Sequence, residues 1–64
     1  MDFDKLNDLL ESVTVSAAQV QKDAVRCAMG HESDVLKRRY IRAMLINARF
    51  IVSMLEAADR EVRG

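Results

Sequence analysis

The chain contains no proline and no tryptophan, two glycines, one histidine and one cysteine. Without proline, nothing in the sequence interrupts a helix from within. A single cysteine, Cys27, excludes an intrachain disulfide. With His31 as the only histidine, soft ligands are too few for a structural metal centre, so no metal and no cofactor is expected. Aromatics are limited to Phe3, Tyr40 and Phe50. Ten basic residues balance ten acidic ones, so net charge drives the chain neither to nucleic acid nor to an anionic membrane. The longest mostly apolar stretch, residues 43–55, is too short to span a bilayer and contains Asn47 and Arg49. Asp2 and Asp4 stand where a signal peptide would be basic. The expected location is a reducing cytoplasm, where one free cysteine is at home.

Half of the residues are hydrophobic and 31% are charged, a composition suited to amphipathic helices. The 64 residues allow one small domain. A core of that size is marginal on its own, and small scaffolds lean on disulfides, metals or association. With the first two removed, association remains by elimination.

Gly30 divides the sequence into halves of similar length. Before it, Phe3, Leu6, Leu10, Val13, Ala17, Val20, Ala24 and Cys27 recur at spacings of three and four, a coiled-coil-like seam along one helix face. Asp2 or Asp4 caps the start, and Gly30 suits a left-handed residue past the helix end. After the loop, Ser33 is the expected N-cap with Asp34 in the first turn. A second seam runs through Ile41, Met44, Ala48, Ile51, Leu55, Ala58 and Val62. Arg60 and Arg63 complement the negative helix end. The pattern predicts an all-α fold: an antiparallel two-helix hairpin over residues 1–64, with helices near 3–29 and 33–62. One segment pulls the other way. Residues 12–16 hold β-branched and hydroxyl side chains, and Ser16 with Gln19 reads as a capping box that would split the first helix.

The second helix carries more apolar surface than the first can cover. Beside its main seam run Leu36, Tyr40, Ala43, Phe50, Met54 and Ala57, with Asn47 among them. Leu45 and Val52 widen the main seam on its far side. Together these cover about two-thirds of the circumference, whereas an ordinary surface helix needs a stripe only somewhat wider than about 100°. Helix one has a milder surplus in Val15, Ala18, Val25 and Met29. A two-helix hairpin has no further layer to bury such surfaces, which mark interaction sites when exposed. They fit the core of a homodimeric four-helix bundle, and equally a groove for a foreign amphipathic helix. Charge placement favours the dimer. Residues 1–30 carry three basic and five acidic groups, and residues 31–64 carry seven basic and five acidic. A two-fold dimer with loops at opposite ends brings Asp2, Asp4, Asp8 and Glu11 to the Lys37–Arg42 run of the other subunit.

Chemistry-bearing residues are sparse. Cys27 and His31 are four apart but straddle the loop glycine, with no orienting group or oxyanion pocket in view. Cys27 continues the seam and reads as a buried, inert thiol. No carboxylate pair, phosphate loop or metal spacing stands out, and no enzymatic activity is expected. Arg38, Arg42 and Arg49 share one helix face and could track phosphates, although that face is more simply a solvated side. Asn47 in its apolar stripe is a candidate for fixing register, or sits half exposed at the seam edge.

With Gly30 at the loop and the run Leu45, Ala48, Ile51 and Val52 in the second helix, the chain resembles the small co-chaperones of type III secretion needle subunits. That resemblance implies a two-helix hairpin that joins a larger helical-repeat chaperone to hold an aggregation-prone protein. In length, central loop and hairpin plan it also looks like the Rop family of plasmid copy-control proteins. There Ala48-Arg49-Phe50-Ile51 is reminiscent of an RNA-facing helix, displaced here from the first helix to the second, in a chain that is neutral where Rop is acidic.

The expected function is therefore a non-enzymatic protein-interaction module, adaptor or co-chaperone. Leu36, Tyr40, Ala43, Asn47, Phe50 and Met54 would dock a partner helix, with Phe50 and Tyr40 as anchors. The alternative is a homodimeric bundle binding RNA or DNA through Arg38, Arg42 and Arg49. A small phage or plasmid inhibitor of a host protein is a third possibility.

Overall fold

A computed structural model describes residues 2–63; Met1 and Gly64, which the 1–64 reading included, lie outside the described residues. The chain forms two α-helices, α1 (Phe3–Met29) and α2 (Asp34–Arg63), packed antiparallel as a hairpin. Its Cα atoms span 47 × 14 × 11 Å, a flat rod two helices wide and one helix deep.

Each helix end is set by short-range chemistry. Asp2 is extended at φ −93°, ψ 99°, and its Oδ1 accepts from the Lys5 N–H at 3.1 Å. That satisfies one otherwise orphaned donor, a contribution of about 1 kcal/mol. Asp4 opens α1 and Arg26 lies in its last turn, both favourable to the helix dipole. Ser33 takes the matching role for α2: its Oγ accepts from the Leu36 N–H at 3.4 Å, and its carbonyl accepts from the Lys37 N–H at 3.0 Å. Arg60 and Arg63 end α2.

Helix α1 does not break at residues 12–16. Thr14 turns its hydroxyl back to the Leu10 carbonyl at 3.0 Å, so the side chain that lowers helix propensity is satisfied within the helix. The expected left-handed Gly30 is corrected. Gly30 is extended at φ −87°, ψ 162°, and its N–H donates to the Arg26 carbonyl at 2.9 Å. The glycine is required by close approach instead: a Cβ there would lie 2.6 Å from the Arg26 carbonyl oxygen.

The hairpin closes on a different stripe from the one with the best apolar periodicity. The residues of α1 withdrawn from solvent are Leu6, Leu9, Ser12, Val13, Ser16, Val20, Asp23 and Cys27. Those of α2 are Lys37, Tyr40, Ala43, Met44, Asn47, Ile51, Met54, Ala57, Ala58 and Glu61. Leu6, Val13, Val20 and Cys27 of the expected first seam thus lie at the contact, while Phe3, Leu10, Ala17 and Ala24 face solvent. On α2, Met44, Ile51 and Ala58 lie inward, while Ile41, Ala48, Leu55 and Val62 do not. Both helices are rotated by about one heptad position from the apolar optimum.

The closed face is consequently thin. Ala58 is the one apolar residue buried among the described residues, and Asp23, at 5% exposure, is the one buried charged residue. Gln19 Nε2 donates to Asp23 Oδ1 at 3.0 Å across one turn of α1. Polar contacts hold the two ends. Glu61 meets Lys5 Nζ at 3.6 Å and accepts from the Asp2 N–H at 3.2 Å. Near the loop, Arg26 lies over the Tyr40 ring, 5.5 Å from its centroid, and donates to the Tyr40 hydroxyl at 3.2 Å. That hydrogen bond is the leading cause that holds the Arg26 guanidinium above its ordinary pKa.

Candidate interaction surface

The contacts at the two ends fix the antiparallel register. With Lys5 against Glu61 and Arg26 against Tyr40, Phe3 is level with Val62, Leu10 with Leu55, Ala17 with Ala48 and Ala24 with Ile41. Seven of these eight follow directly after an inward-facing residue on their helix, and Phe3, the first residue of α1, continues the same row. In an antiparallel pair such positions flank the same side of the contact. Leu45 and Val52 lie next to them on α2, one step further from α1.

This side of the hairpin is therefore a continuous apolar strip running its whole length. Its large members are well exposed: Phe3 at 67%, Leu10 at 42%, Leu45 at 51%, Val52 at 54% and Leu55 at 46%. The outer edge of the strip on α1 is Asn7, Thr14, Gln21 and Ala28, all uncharged. The outer edge on α2 has two charges, Arg38 toward the loop end and Asp59 toward the open end. Asp59 also pairs with Arg63 at 2.8 Å along the helix, an exposed pair.

The opposite side is mixed. Leu36, Ile46 and Phe50 are exposed there on α2, with Lys5, Ser12, Gln19 and Arg26 along the α1 edge. Here the six residues expected to dock a partner part company. Leu36 and Phe50 are exposed, at 40% and 50%, whereas Tyr40, Ala43, Asn47 and Met54 are half-buried in the hairpin's own contact. Tyr40 is engaged by Arg26. They do not form one exposed face, because α2 turns its second seam partly inward. Asn47 lies in the intrachain contact, level with Val20.

The three arginines keep to the outer face of α2, and all three are exposed. Arg42 and Arg49 bracket Leu45 and Ile46 around a shallow hollow of about 330 Å³. Among the described residues the ion pairs are Lys5–Glu61 and Asp59–Arg63, so none involves Arg38, Arg42 or Arg49. Cys27 is half-buried, with Sγ 3.9 Å from the Lys37 carbonyl, and His31 is exposed in the loop. Among the described residues no three His, Cys, Asp or Glu side chains converge as metal ligands would. Among the described residues no helix is long and apolar enough to cross a membrane.

The residues that sequence reasoning missed are the polar ones of the closed face: Ser12, Ser16, Asp23, Lys37 and Glu61. Apolar periodicity passes over them. The one local signal was the Gln19/Asp23 spacing, which suits a side-chain hydrogen bond along a helix.

Comparison with protein-family models, curated proteins and solved structures finds no match to this chain.

Proposed function

We propose that this hairpin is a protein-interaction module, an adaptor or co-chaperone that completes its hydrophobic core with another chain. One observation carries the reading. Among the described residues, fourteen large hydrophobic side chains are exposed at 40–79%, while one apolar residue, Ala58, is buried. The accessible surface is 5048 Å² for 7.3 kDa, whereas a compact monomer of that mass exposes about 4,200 Å². The surplus, roughly 900 Å², is close to what one partner buries in a standard interface. Exposed apolar surface at this density is costly in water, and covering it is the source of binding energy. The resemblance to two-helix co-chaperones points the same way.

Amide hydrogen exchange on the dilute isolated chain tests the reading. Helix amides of a hairpin that needs a partner exchange at nearly unfolded rates, because local opening costs little. Strong, uniform protection in a monomer would show that the hairpin is self-sufficient, and the reading fails.

A second reading has its own observation. Arg38, Arg42 and Arg49 are exposed on one helix face and free of ion pairs among the described residues. Three such cations could contact phosphates of RNA or DNA, with affinity that falls steeply with salt. A gel-shift series at low ionic strength decides it: no shift with duplex or structured RNA removes this alternative.

A further inference from the structure

We infer that the occupant of the apolar strip is a second copy of this chain, packed face to face with its loop at the opposite end to form a four-helix bundle. The inference rests on the interaction-module reading and specifies its partner. Three features of the strip favour a second copy in that orientation.

The first is extent. The hairpin is 47 Å long and 14 Å wide. Covering that face removes roughly 650 Å² in plan from each copy, or about 1,300 Å² for the pair, inside the range of specific, stable interfaces. The strip has two helical ridges, so two hairpins laid together make two further helix–helix contacts at once.

The second is shape. On α1 the strip is bulky at the open end, with Phe3 and Leu10, and small at the loop end, with Ala24 and Ala28. A two-fold axis across the helices lays α1 on the partner's α1 running the other way. Phe3 then meets the small loop end of its mate, and Leu45 of α2 falls level with the partner's Val52. The other two-fold arrangement, with both loops at one end, sets Phe3 on the partner's Val62 and Leu10 on the partner's Leu55. It gathers both copies of Phe3 and Leu10 at the open end and leaves the bundle swollen there, whereas the central layer of Ala17 and Ala48 is the same in both arrangements. Interiors pack to uniform density, which disfavours the second arrangement.

The third is charge. Arg38 and Asp59 are the two charges beside the strip, at opposite ends of α2. With loops at opposite ends, α2 lies on the partner's α2, and Arg38 comes to the partner's Asp59 twice by symmetry. With loops together, Arg38 faces the partner's Ala28 and Asp59 faces the partner's Asn7, so neither gains a countercharge from the partner beyond the Asp59–Arg63 pair within α2.

Sedimentation equilibrium on the full chain tests this. The wild type is expected to be a dimer. Leu55→Asp weakens dimerisation by at least about a hundredfold, because it places a charge inside the covered face. Arg38→Glu and Asp59→Arg each weaken it by about tenfold, since each reverses two symmetric pairs. The double variant R38E/D59R restores dimerisation to within about threefold of wild type. Should Leu55→Asp lose its helicity, the charge-reversal set still decides, because its sites lie outside the apolar strip. Reversals that weaken association without mutual rescue overturn the orientation. A dimer indifferent to Leu55→Asp overturns the choice of face. A wild-type chain that stays monomeric at every concentration overturns self-association. In that case weak amide protection still supports a different protein partner, whereas strong protection removes both readings.

Discussion

The inward stripe of α1 and its neighbouring outward stripe differ in the wrong direction for a free-standing hairpin. Inward lie Leu9, Ser16 and Asp23 with Ser12 beside them; outward lie Phe3, Leu10, Ala17 and Ala24. The covered stripe holds hydroxyls and a carboxylate, while the exposed one has no polar atom beyond the backbone. The same contrast holds on α2, where Lys37, Asn47 and Glu61 turn toward α1 and Ile41, Leu45, Val52 and Leu55 turn away. A two-helix rod must choose one contact, and its inner surface is narrow. Small and polar residues let the helices approach at one contact, and the larger apolar groups are left for a broader one. The hairpin's own contact thus leaves the more apolar stripe uncovered.

Several substitutions would break or sharpen that contrast. The largest effect belongs to the outward stripe. Leu55→Asp is expected to remove about 2–3 kcal/mol of association-linked stability, the value of burying one leucine, read as a lower thermal midpoint at fixed concentration. A midpoint that does not move would mean Leu55 stays in water. Next comes the inward stripe. Asp23→Leu exchanges a buried carboxylate for an apolar side chain and is expected to stabilise the hairpin by about 1–2 kcal/mol in urea melts. Destabilisation of that size would show that the Gln19–Asp23 hydrogen bond outweighs the burial of a charge. Gly30→Ala follows, costing about 1 kcal/mol, because the added Cβ must push against the Arg26 carbonyl oxygen. Tyr40→Phe is the smallest. It removes the hydroxyl bonded to Arg26 but keeps the ring beneath the cation, for a loss of about 0.5 kcal/mol. A Tyr40→Phe loss above about 2 kcal/mol would promote this contact to a principal tie between the helices.

Much of the fold was legible in the sequence. The limits of α1 coincide with the expected 3–29, and α2 starts and ends one residue later than the expected 33–62. Those limits are local chemistry: Asp2 and Ser33 at N-termini, a glycine after Met29, arginines at the C-terminus. The surplus of apolar surface was legible too, since it is a count of residues around a helix. What periodicity could not decide was which stripe each helix gives to its own hairpin. On α1 two heptad seams share Leu6, Val13, Val20 and Cys27. One adds Leu10, Ala17 and Ala24; the other adds Leu9, Ser16 and Asp23. A rule that maximises apolar content picks the first, while the chain folds on the second. The same shared membership on α2 divided the expected docking set, leaving Leu36 and Phe50 outside and taking Tyr40, Ala43, Asn47 and Met54 in. The conformation of Gly30 was misread for a related reason. A glycine after a helix suggests a left-handed residue, yet crowding against a carbonyl selects for glycine as well.

The most direct test of the account is the thermal midpoint of the wild-type chain followed by circular dichroism across a hundredfold dilution series, with the mass measured at each end by light scattering. If the outward stripe is half of a shared core, the concentrated chain is a dimer. Its midpoint then falls steadily on dilution, as mass action requires for folding coupled to association. A cooperative melt at one unchanging temperature, in a chain of monomer mass throughout, would contradict it.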